Sequence, residues 1–212
     1  MAIPHERWIS LEEYLELDRT SIDVKYEYVD GHIYAMSGGS TSHSLIATNI
    51  YALLRPHLRG SPCRVYDKDM KFCLSEGVRY YPDITVSCDP RDTQAIKHDL
   101  YYPRLVIEVL SPSTELRDRT EKLAHYQTCS TVEEYVIVSQ ERQAVEIYTR
   151  NGKKWVYQMF GPGEEIELTS IDFHCPIEAI YEDVPVMDHL GMITYIGGLV
   201  RSYFLTGNIL RP

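Results

Sequence analysis

Asp83, in YYPDITV, and Glu108, in RLVIEVL, each place one carboxylate inside an otherwise apolar run. Runs of that kind are expected of strands buried on both faces. An ionised carboxylate among Ile, Val and Leu is costly unless something pairs with it. A divalent cation is one such partner, and hard oxygen ligands suit Mg²⁺ or Mn²⁺. An arginine at the strand end, such as Arg104, is another. Pro82 removes a ladder hydrogen bond just before Asp83, which implies an edge, a strand start or a bulge. Such places are common beside active sites. Downstream, TELRDRTEKLAHYQT reads as a helix with Asp118, Lys122 and Tyr126 four residues apart on one face. A lysine there can orient a water and steady the charge of a phosphorane-like transition state. As a surface residue paired with Asp118 it would contribute little. Two carboxylates on neighbouring strands, followed by a lysine helix, favour shared cation chemistry over two unrelated ion pairs.

The elements that must position these residues follow from pattern. Trp8 to Leu17 reads as a short helix with Ser10 as its N-cap. Residues 26–29 and 32–36 flank Asp30-Gly31, a strong hairpin signal. Apolar residues at helical spacing run from Ser42 to Leu58 and stop at Gly60-Ser61-Pro62. Strands are expected at Cys63–Tyr66, Met70–Leu74, Tyr80–Ser87 and Arg104–Leu110. A helix should then span Thr114–Thr128 with Ser113 as N-cap, followed by a strand at Glu134–Ser139. A hairpin from Val145 to Phe160 turns at Asn151-Gly152. Ile166–Ile171 reads as a further strand and Ile177–Tyr181 as a short helix. The order points to an α/β (α+β) fold, a mixed sheet flanked by helices. Residues 185–212 are apolar, glycine-broken and poorly periodic, with nothing obvious to pack against.

The 212 residues suit one domain, assigned to 5–184 with the 185–212 tail apart. A hydrophobic content of 44% and a charged content of 25% exclude wholesale disorder. No run is long and apolar enough for a spanning helix, and the N-terminus lacks a signal-peptide pattern. The five cysteines are widely spaced without a CxxC pair, which implies free thiols and a cytoplasmic, reducing setting. A net charge of −10 opposes binding to a polyanion. The segment 55–125, which holds the candidate chemistry, is nevertheless balanced, with 12 basic and 11 acidic residues. P-loop, GxGxxG, HExxH and GxSxG signatures are absent, which leaves kinases, dehydrogenases, zincins and serine hydrolases without support.

Taken in order, KYEYVDGHIYAMSGGSTSH, YYPDITVSC, LVIEVLSPST, DRTEKLAHY and EYVIV resemble the Uma-type family of restriction endonucleases, within the PD-(D/E)XK nuclease superfamily. The resemblance implies a restriction-endonuclease-like fold with N- and C-terminal β-hairpins and Mg²⁺- or Mn²⁺-dependent hydrolysis of nucleic acid, with DNA the expected substrate. It carries the first acid onto Asp83 and the second onto Glu108, with the Val109 carbonyl as a further metal ligand. The superfamily lysine two positions after the second acid is Leu110 here, a departure. In the Uma-like pattern it has moved to the next helix, which makes Lys122 the candidate. Glu27 and His43 fall on recurrent early positions and could bind metal or orient water; Glu27 could equally pair with Lys25. Tyr126 shares the lysine's face. Cutting both strands of a duplex takes two sites, so a homodimer is expected. The alternatives are a nuclease fold serving as an interaction module and a hydrolase of small phosphoesters.

Overall fold

The computed structural model describes residues 8–36, 38–94, 99–187 and 193–195. Ser10 starts α1 (Leu11–Thr20) through a capping box: its hydroxyl accepts from Glu13 N–H at 3.2 Å, and the Glu13 carboxylate accepts from Ser10 N–H at 2.8 Å. The helix runs three residues beyond the expected Leu17. Its buried Tyr14 stacks on Tyr28 with ring centroids 4.9 Å apart. Tyr28 lies in β1 (Tyr26–Val29), which pairs with β2 (His32–Ala35). The turn between them needs positive φ at Asp30 (45°) and Gly31 (92°). Gly31 is also obligatory sterically, since a Cβ there would meet Trp8 Nε1 at 1.8 Å.

Helix α2 (Thr41–His57) buries Ile46, Ile50 and Leu54 at helical spacing. It is followed by β3 (Arg64–Asp67), β4 (Lys71–Cys73), β5 (Val78–Tyr80) and β6 (Ile84–Ser87). The expected single strand over Tyr80–Ser87 is therefore two. Pro82 cannot donate to a ladder, and the chain crosses from one sheet to another over Tyr81–Asp83. The sequence pattern also gave no sign of α3 (Pro90–Thr93) or β7 (Asp99–Leu100).

After β8 (Pro103–Val109), the expected continuous helix over Thr114–Thr128 is three pieces: α4 (Glu115–Arg117), a π-helical turn at Asp118–Lys122, and α5 (Leu123–Thr128). Ser113 is not its cap. Thr114 holds that position without a side-chain cap bond, and the Ser113 hydroxyl meets Ser111 at 2.9 Å instead. Next come β9 (Glu134–Val138), β10 (Val145–Asn151) and β11 (Lys154–Phe160), the last two joined at Gly152 with φ 61°. β12 (Glu165–Leu168) is shorter than expected, because Thr169–Ile171 is a 3₁₀ turn, and it pairs with β13 (Phe173–Pro176). α6 (Ile177–Ile180) and a short ladder of β14 (Pro185–Met187) with β15 (Ile193–Tyr195) follow.

Two sheets result. The smaller runs β2-β1-β5-β4-β7, the larger β11-β10-β9-β8-β6-β3. Within the larger, β8 and β9 are parallel and joined through the helical segment, while the other neighbours are antiparallel. One face of this sheet packs Leu105, Ile107, Val136 and Val138 against α2. The other face packs Val106, Tyr135 and Ile137 against Tyr126 of α5 and Phe72 and Tyr80 of the smaller sheet. Each such side chain contributes about 1.5–3 kcal/mol on burial. Val184 and Val186 join the first cluster, so the start of the tail does have a packing partner; positions 188–192 and 196–212 lie outside the described residues.

The cysteines correct the expectation of free thiols. Arg64 pairs with Ser87 across β3 and β6, the next rung brings Cys63 to Cys88, and these two form a disulfide. Cys73, Cys129 and Cys175 are free. Among the described residues, no helix is long and apolar enough to cross a membrane.

Candidate active site

Asp83 ends the crossing segment, one residue before β6. Ile84 pairs with Ile107, so Asp83 stands opposite Glu108 on the adjacent strand. Asp83 Oδ2 accepts from the Val109 N–H at 2.8 Å, which fixes the carboxylate to β8. His43, in the first turn of α2, places Nε2 3.2 Å from the same oxygen. Glu108 Oε1 accepts from Lys122 Nζ and from the Tyr126 hydroxyl, each at 2.9 Å. Among the described residues, no hydrogen bond reaches Asp83 Oδ1 or Glu108 Oε2.

Glu27 comes from the smaller sheet. Its Oε1 lies 3.1 Å from Lys122 Nζ, and its Oε2 accepts from Arg117 at 3.0 Å. Lys25 does not pair with it, binding Asp69 instead. Arg104 likewise meets Glu133 and neither site carboxylate. Asp118 lies 3.2 Å from Lys122. The reading of Lys122 and Asp118 as a surface pair is corrected: they are 3% and 1% exposed. Both lie in the π turn, which faces the sheets: Lys122 meets Glu108 and Glu27 there, and the Tyr135 hydroxyl donates to the Asp118 carbonyl. Glu27, His43, Asp83, Glu108, Val109 and Lys122 all line one cavity of about 670 Å³.

Arg117 is the residue that sequence reasoning missed. It bridges Glu27 and Glu121 (2.8 Å) and lies 3.6 Å above the Tyr34 ring. In sequence it is one more basic residue spaced four from an acid, as surface pairs are.

Burial pushes the Glu108 carboxyl well above the usual carboxylate range; Lys122 opposes this, while Asp118, Asp83 and Glu27 add to it. Burial also works against the Lys122 charge, but Asp118, Glu108 and Glu27 outweigh it and hold the ammonium well above the usual lysine value. Burial, then Glu108, raises the Tyr126 hydroxyl far enough to keep it a donor. The buried pocket thus crowds the carboxyl groups of Glu27, Asp83, Glu108 and Asp118 around Lys122 and Arg117, a crowding that a cation would relieve. Among the described residues, no group of three or more His, Cys, Asp or Glu is arranged to hold a metal ion. The donor set fits Mg²⁺ all the same, since that ion is usually held by one or two carboxylates with substrate phosphate and water completing its shell.

For His43, burial lowers the pKa but the hydrogen bond and charge of Asp83 outweigh it, so the net shift is upward from 6.5. A raised histidine adds stability that is complete below the unfolded value and fades as pH rises through the folded one. His43→Gln is therefore expected to melt below the parent in acid, with the gap closing above neutrality. Melting curves from about pH 5 to 9 check this, and a gap that does not change with pH would sink it.

The fold is shared with a solved structure, that of a putative nuclease belonging to DUF820 from Anabaena variabilis ATCC 29413. The TM-score is 0.67 at 21% identity, over 81% of this chain and 97% of that one. The Uma2 family, described as "Putative restriction endonuclease", matches residues 11–178, and the chain belongs to it. Two uncharacterized proteins of Synechocystis sp. (strain PCC 6803) are also similar. One, slr1290, is 37% identical over 82% of this chain and 91% of its own length. The other, sll1609, is 27% identical over 80% and 97%.

Proposed function

We propose that the chain is a Mg²⁺- or Mn²⁺-dependent endonuclease of the PD-(D/E)XK type that hydrolyses phosphodiester bonds in DNA. The observation that carries this reading is the strand register that sets Asp83 opposite Glu108, with Lys122 on Glu108. Asp83, Glu108 and the Val109 carbonyl would hold the ion, which when bound lowers the pKa of a water and offsets charge on the scissile phosphate. The rest belongs to the chain. Val109 N–H and His43 fix the Asp83 carboxylate, and Tyr126 fixes that of Glu108. Lys122 supplies a preorganised positive charge beside the reacting phosphate. Glu27 orients Lys122 from the smaller sheet. In the reaction one water is consumed: its oxygen bonds to phosphorus, the ester P–O bond breaks, and one water proton ends on the leaving oxygen. A homodimer, with one site per strand, is part of this reading.

A second reading is favoured by one observation: the site's lysine is already engaged by carboxylates, as it would be in a nuclease fold used only for binding. Purified protein incubated with supercoiled plasmid and Mg²⁺ or Mn²⁺ separates the two. Cleavage that EDTA stops supports the proposal, with linear product from a dimer and nicked circles from a monomer. Retarded but uncut plasmid supports the binding module. Hydrolysis of a small chromogenic phosphodiester alone would make the chain a small-phosphoester hydrolase.

A further inference from the structure

Three carboxylates surround the Lys122 ammonium, but only the Glu108 contact is aligned as a hydrogen bond. Glu27 is also held by Arg117, and Glu108 by Tyr126. Asp118 differs. Its Oδ1 is fully buried with no hydrogen-bond partner, although it lies 3.2 Å from Lys122 Nζ. This buried oxygen is thus held to the ammonium by charge alone, without an aligned hydrogen bond, which calls for an explanation. The local backbone does not need this carboxylate. The π turn is pinned independently by the Tyr135 hydroxyl, which donates to the Asp118 carbonyl at 3.0 Å.

We infer that Asp118 is a positioning residue: its carboxylate is the acceptor that keeps Lys122 in the site when the ammonium turns away from Glu108 toward the substrate phosphate. This rests on the nuclease reading, since Glu108 must be given up to a cation. The ion pair that Asp118 Oδ1 already makes at 3.2 Å would then tighten into an aligned hydrogen bond in the second position of the lysine. Both residues lie in the same π turn, so the lysine can change partners while staying within reach of Asp118.

The test combines Asp118→Asn, Asp118→Ala and Lys122→Met with the exposed control Glu167→Gln. Asp118→Ala is expected to lower kcat by about tenfold or more, with KM and the Mn²⁺ dissociation constant within about twofold of the parent. Asp118→Asn, which keeps an oxygen, should lie between the two. In a Lys122→Met background neither substitution should lower kcat further. In ¹H–¹⁵N spectra of lysine ammonium groups, the signal lost in Lys122→Met should shift in both Asp118 variants and stay in place in Glu167→Gln. An unchanged kcat, or losses that multiply with Lys122→Met, would overturn the inference. So would a lowered melting temperature at parental kcat, which marks a merely structural residue. If the parent protein does not cleave at all, the nuclease reading fails by itself and the spectra decide: a Lys122 signal unmoved by Asp118→Ala removes the inference too.

Discussion

Asp83→Ala and Glu108→Ala are each expected to abolish plasmid cleavage and the binding of Mn²⁺, while differing in what they do to the fold. One carboxylate cannot hold the ion in a productive position. Losing the ion's stabilisation of the transition state removes about 4 kcal/mol or more, a factor of about 10³ in rate. Asp83→Ala also strands the Val109 N–H, whose acceptor is Asp83 Oδ2 at 2.8 Å, so this variant should melt earlier by the cost of one buried unsatisfied donor. Glu108 is the opposite case. It is a buried acid raised by burial and by three neighbouring carboxylates. Glu108→Gln keeps the shape and relieves the crowding, so it should melt at the parent temperature or above and still not cut. Stability and activity would then trade at one residue. The measurements are cleavage rate, Mn²⁺ titration and a melting curve for each variant; retained cleavage in either alanine variant would end the nuclease reading.

Lys122→Met should slow cleavage by roughly 10²- to 10³-fold, about 3–4 kcal/mol, the scale for deleting one preorganised contact to a transition state. Metal affinity should survive, because Glu108 loses a competing cation. The burial of Lys122 adds a second effect. Removing one member of a buried ion cluster leaves the others uncompensated, a loss of about 3–5 kcal/mol, which is a large part of an ordinary domain's stability. Rates must therefore be compared well below the variant's melting temperature, and Lys122→Arg, which keeps the charge, serves as the folded companion. A Lys122→Met protein that cleaves like its parent would leave the site without its third element, and the binding-module reading would take over.

How much of this could be read from the chain depended on the range of the interaction. Ser10, Asp30-Gly31 and Asn151-Gly152 act within a few residues, and their caps and turns stand where local chemistry puts them. Asp83 and Glu108 stood out because a charge in an apolar run is conspicuous wherever it falls. Features that depend on distant residues were hidden. Tyr80–Ser87 looks like one β run, yet it serves two sheets, because nothing local says which neighbour each half meets. The pairing of Cys63 with Cys88 exists only once β3 and β6 are in register. The π turn has no composition of its own, so spacing alone left Lys122 open between a site lysine and a surface partner of Asp118, whereas both are buried. β13 (FHCP), with His174 exposed and Pro176 at its end, lacks the pattern of a strand and is defined only by its partner.

The crossing at Tyr81–Asp83 also bears on when the site comes into being during folding. Asp83 directly precedes a strand of the larger sheet, Glu108 lies in that sheet and Lys122 in its connecting helical segment, and their contacts join residues 26 and 14 positions apart. Glu27 arrives from the smaller sheet, and its bond to Arg117 joins residues 90 positions apart. The entropy of closing so long a loop must be met before that contact returns anything. A chain that had formed only its larger sheet would already hold both facing acids and the lysine, but with the lysine unsteadied on one side. The Glu27–Arg117 bond is thus a contact of this pocket that depends on the docking of one sheet on the other.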